Sequence, residues 1–171
     1  MTFYAVHKTW FYDDYKRADG GGFILNLFKT EQKAVEYAKK KMVEYINENC
    51  LVFECHRFKN RHWYDHGFDL DGIVVTTKDL EEYNDDMQKN KYNPPPKTHT
   101  TSVKVWLLYK DIVKQPATKE NLEKLRALKI ALEGEAQYTF SPTNEDFTVV
   151  ELEALDEDNE VKIVVTEPEG N

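Results

Sequence analysis

The sequence predicts an α+β fold in which a mostly antiparallel sheet is packed by two principal helices. Three observations carry that expectation. Aromatic and β-branched runs stand near both ends of the chain, and two internal segments repeat apolar residues at three- and four-residue steps. An alternating pair of arms then closes the sequence. A chain of 171 residues suits one compact domain. Within it we read an N-terminal half over 1–87, a Pro-rich connector over 88–101 and a C-terminal half over 102–171.

Phe3 to Tyr12 has strand composition, and Asp13 to Gly22 (DDYKRADGGG) reads as a polar loop given backbone freedom by its glycines. Phe23 to Phe28 follows as the return arm of a long hairpin. Thr30 then caps a helix whose Ala34, Ala38, Met42, Tyr45 and Ile46 share one face. Leu51 to Phe58 and Ile73 to Thr77 read as strands, separated by an aromatic and polar loop from Lys59 to Asp71. Thr76 and Asp79 have capping-box spacing for a short helix through Met87.

Three consecutive prolines in QKNKYNPPPKTHTT favour an extended connector. Val103, Val105, Leu107 and Tyr109 alternate as on a strand. A second main helix runs from about Thr118 to Glu133, with Leu122, Leu125, Leu128 and Leu132 inward and Gly134 at its end. Ala136 to Phe140 reads as a strand and Ser141 to Asn144 as a turn. Phe147 to Leu155 and Glu160 to Thr166 form the closing hairpin, with Val161, Ile163 and Val165 inward.

Composition narrows the class. Apolar runs fall far short of the roughly 20 residues that span a bilayer, and no basic or apolar leader follows Met1, so a soluble protein without a membrane partner is expected. Cys50 and Cys55 are too few for a disulfide scaffold, which favours a reducing cytoplasmic setting, in a host cell or virion. The nineteen Lys against four Arg reflect AT-rich coding and suggest a viral or phage source. Charge is uneven as well: residues 143–171 carry ten acids and a single Lys162, whereas the rest of the chain sums to +1. That run reads as a solvated hairpin face, or as an acidic mimic of nucleic acid.

Two tripeptides share the form His-x-Thr, His7-Lys8-Thr9 and His99-Thr100-Thr101. On a strand each His would share a face with its Thr, and two such pairs in one cleft supply an acid, a base and two hydroxyls. The arrangement resembles the two-histidine phosphoesterases. That resemblance implies a phosphodiesterase acting on cyclic nucleotide or RNA phosphates, with His7, Thr9, His99 and Thr101 as its catalytic residues.

A second cluster, Cys50, Cys55, His56, His62 and His66 with nearby Asp65, Asp69 and Asp71, has one zinc-like spacing at His62-x3-His66 but not a finger's framework. No metal or cofactor is expected. The same stretch interleaves basic and aromatic side chains, a composition suited to protein hot spots or to nucleic-acid stacking. It also suits plain anchoring of a long loop by Phe58, Trp63 and Phe68. The leading expectation is a small acidic, non-catalytic, macromolecule-binding or structural protein. Its partner is expected to be a protein, with nucleic acid as the alternative, and its contact residues Arg57, Arg61, Trp63, Tyr64 and Phe68. The phosphodiesterase and the acidic mimic are the competing readings.

Overall fold

Two long arms begin the chain, β1 (Thr2–Asp14) and β2 (Arg17–Phe28), paired antiparallel from Tyr4↔Phe28 to Asp14↔Arg17. The computed structural model describes residues 1–14, 17–49, 60–89, 100–136, 144–157 and 160–165. The expected DDYKRADGGG loop is therefore mostly strand, because its three glycines sit inside β2. Helices α1 (Glu31–Asn49), α2 (Asn60–Asp65), α3 (Thr77–Lys89), α4 (Thr100–Lys114) and α5 (Lys119–Ala136) follow. Strands β3 (Asn144–Glu157) and β4 (Glu160–Val165) close the described chain. The result is an α+β fold with a four-stranded antiparallel sheet in the order β2-β1-β3-β4.

Alternation gives β1 two faces. Tyr4 and Val6 join the core with Ala34, Val35, Ala38, Met42 and Ile46 of α1, and with Phe147 of β3. Phe3, Ala5, His7 and Thr9 project to the opposite face, where Ala5 lies across from Leu27 and Val150, and Phe3 from Leu152. Both halves of the chain thus build one sheet, since β3 lies beside β1.

Leu122, Leu125, Leu128 and Leu132 of α5 are all buried, as their spacing predicts. That helix begins at a cap: the Asn121 amide donates to Thr118 Oγ1 at 3.1 Å. Thr118→Ala is expected to cost about 1 kcal/mol, read from urea midpoints at unchanged denaturant slope. The helix runs on through Gly134 to Ala136, so the stop expected at Gly134 is not made there. Of the strand expected over Ala136 to Phe140, Ala136 belongs to α5 and the rest lies outside the described residues.

The Thr76–Asp79 capping box forms as expected. Asp79 donates its amide to Thr76 Oγ1 at 3.2 Å, while its carboxylate accepts the Thr76 amide at 2.8 Å and hydroxyl at 2.7 Å. Those bonds hold the Asp79 carboxyl below its ordinary range. The cap's contribution is therefore complete above the unfolded carboxyl's pKa and is lost as pH falls through the lowered folded value.

Two strand expectations fail. Val103 to Tyr109 is helix: Ser102, Val103, Val105, Trp106, Tyr109 and Ile112 are buried at helical, not alternate, spacing. What decides it is tertiary packing. Trp106 meets Tyr83 of α3 edge to face at 5.6 Å and donates its indole N–H to Asp86 at 2.8 Å. Ile73 to Thr76 is irregular chain leading into α3, and Thr77 begins that helix. Leu51 to Phe58 lies outside the described residues, as does the connector from 90 to 99; its flanks, 88–89 and 100–101, belong to α3 and α4.

Candidate interaction edge

Trp63 is 0% exposed, so its ring sits inside the core and is not a contact surface. The local backbone explains why. Gly67, at φ +85°, ends α2 in a Schellman turn, with the Phe68 amide reaching the Trp63 carbonyl at 3.0 Å and the Gly67 amide reaching that of Tyr64 at 2.9 Å. Phe68 then packs on Trp63 at 6.3 Å, the apolar contact that accompanies this turn. Only Tyr64 of the described contact residues projects outward, at 73% exposure. Arg57 lies outside the described residues, and for Arg61 they give only its place in α2.

The paired tripeptides are not alike. His7 and Thr9 share the face of β1 opposite α1, whereas Thr101 stands in the first turn of α4, where residues two apart diverge. His99 lies outside the described residues. In the cysteine and histidine cluster, Cys50, Cys55 and His56 are also outside them. Asp69 acts as a turn residue, accepting the Asp71 and Gly72 amides at 3.0 and 3.3 Å. Among the described residues no three His, Cys, Asp or Glu side chains converge as metal ligands. No described helix is long and apolar enough to cross a membrane.

Among the described residues β4 pairs with β3 from Leu152 onward, and no strand flanks the earlier half of β3. Helix α5 closes that flank with side chains. Lys129 Nζ donates to the Glu145 carbonyl at 2.6 Å, and Arg126 Nη2 to the Phe147 carbonyl at 3.0 Å. Arg126 also binds Asp146 at 3.0 Å and pairs with Glu123. Edge strands are liabilities, and here one is blunted by cations.

The opposite edge, β2, has no such cover among the described residues. Since Glu145 and Phe147 turn their carbonyls away from β1, antiparallel alternation points the backbone of Lys8 and Trp10 toward β2. Their partners Phe23 and Gly21 then face β1, and Gly20, Gly22 and Ile24 present N–H and C=O groups to the outer edge. Leu27, beyond a bulge opposite Val6/His7, has its amide taken by Asn26 Oδ1 at 2.9 Å.

The glycines have a packing reason. A side-chain carbon on Gly21 would lie 2.5 Å from the Trp10 ring, and one on Gly22 would lie 2.6 Å from His7 Nε2 and 2.9 Å from the Lys8 carbonyl oxygen. Rings from β1 thus lie across the backbone of β2, Trp10 on the helix side and His7 on the other. Phe23 stacks obliquely on Trp10 at 5.7 Å. Phe23, Ile24 and Leu27 are exposed at 50, 46 and 48%. From Gly20 to Phe28 not one residue is charged. Among the described residues the edge therefore offers open backbone donors and acceptors between two apolar faces. A sequence signal for it existed: three glycines beside an apolar arm mark close approach of another group as readily as a loop. No family model, curated protein or solved structure matches this chain.

Proposed function

We propose that this protein is a non-catalytic protein-binding module that takes an extended segment of a partner chain onto the outer edge of β2. The observation that carries this reading is the stacking of Trp10 and His7 over Gly21 and Gly22, which leaves an accessible strand backbone flanked by rings and by Phe23 and Ile24. Strand addition draws affinity from main-chain hydrogen bonds and specificity from pockets for alternate side chains. The uncharged run of β2 favours an uncharged, apolar segment, because a charge stripped of water there would find no counter-charge.

A displayed library of unstructured peptides tests this. The wild-type protein is expected to enrich extended, uncharged sequences, and the Phe23→Lys/Ile24→Lys variant to lose them with its circular dichroism unchanged. Failure of the wild-type protein to enrich any such sequence would overturn the reading.

A further inference from the structure

Self-association through the same edge follows from how charge is laid out across the sheet, an inference that rests on β2 being a strand-binding edge. We infer that the segment it takes is β2 of a second copy, paired antiparallel about a two-fold axis.

Net charge of -8 opposes the meeting of two copies, but that charge is not uniform. Ten acids lie in residues 143–171, which hold β3 and β4, and β4 is the strand farthest from β2. Everything before residue 143 sums to +1. Pairing β2 with β2 gives an eight-stranded sheet in which the two β3 strands, which carry six of those acids, stand five strand spacings or about 24 Å apart. That is several times the Debye length of about 8 Å at physiological salt. Pairing through β4 would instead leave the two β3 strands only three strand spacings, or about 14 Å, apart.

The strand also matches itself. With the axis at Gly22, Phe23 of one copy falls opposite Gly21 of the other, and Ile24 opposite Gly20. Each bulky side chain meets a residue that has none. The outward backbone groups of Gly20, Gly22 and Ile24 are the ones this register joins. The Leu27 amide, already taken by Asn26, lies beyond the paired segment. A two-fold contact of this kind is closed, so assembly stops at the dimer.

Sedimentation equilibrium of the full chain between roughly 1 and 100 μM, with amide hydrogen exchange on the same samples, tests the inference. The expected result is twice the chain mass, with the Gly22 and Ile24 amides growing more protected as concentration rises. Ile24→Lys should weaken the dimer at least tenfold or so. A monomer at all concentrations with fast-exchanging Gly22 and Ile24 amides overturns it, while the peptide-library result still decides whether the edge binds other strands. A dimer in which those two amides stay unprotected at every concentration also overturns it, because the contact would lie elsewhere. The exchange readout uses only the wild-type protein, so it holds even where Ile24→Lys perturbs the fold.

Discussion

Lys129→Met is expected to cost the fold about 3–5 kcal/mol, the penalty for leaving one member of a buried ion pair without its partner. Lys129 and Glu133 are 3 and 6% exposed and meet at 3.2 Å. Lys129 also holds the Glu145 carbonyl of β3 and lies 5.4 Å from the Tyr45 ring of α1, so one ammonium ties three elements together. Burial pushes the Glu133 carboxyl above its ordinary range, opposed by the Lys129 charge and by a hydrogen bond from Tyr45. A carboxyl raised in this way stabilises the folded state as pH falls toward the unfolded value and withdraws that help as pH rises. Without Lys129 the carboxyl should rise further. The deficit of Lys129→Met should therefore be larger at pH 8 than at pH 5, as measured by urea unfolding at both. Adding Glu133→Leu should recover most of the loss, because a well-packed apolar pair often equals a buried ionic one. A double variant no more stable than Lys129→Met would show that the ammonium acts mainly by closing the β3 edge.

Trp63→Ala is the second large effect, at about 3–5 kcal/mol for removing a wholly buried indole. Tyr64→Ala, one residue away but 73% exposed, should stay within about 0.5 kcal/mol of wild type. The contrast separates anchoring from recognition in the Asn60–Phe68 turn. Thermal unfolding of the two variants side by side measures it, and equal, small losses would put Trp63 outside the core.

That turn shows what the sequence carried and what it withheld. Composition marks Trp63 and Tyr64 alike as contact residues; only the left-handed backbone at Gly67, which folds Phe68 back onto Trp63, sends one ring in and the other out. Helix α1 was legible because Ala34, Ala38, Met42, Tyr45 and Ile46 recur at a period no strand can use. The closing hairpin was legible through alternation, and its register sets Val165 opposite Leu152 and Ile163 opposite Ala154. Helix α4 was not legible. Its β-branched Val103 and Val105 fit either period, and the choice rests on Tyr83 and Asp86, some twenty residues upstream. The candidate edge was hidden for a related reason: the glycines read as a loop until Trp10 and His7, from the neighbouring strand, are seen lying across them.

Those glycines separate position from chemistry. Along Gly20–Gly22 the outer strand contributes only main chain, and what an approaching segment feels on either side comes from side chains rooted one strand further in. Substitutions at Trp10 or His7 would then retune what the edge accepts without altering a single residue of the strand that does the pairing.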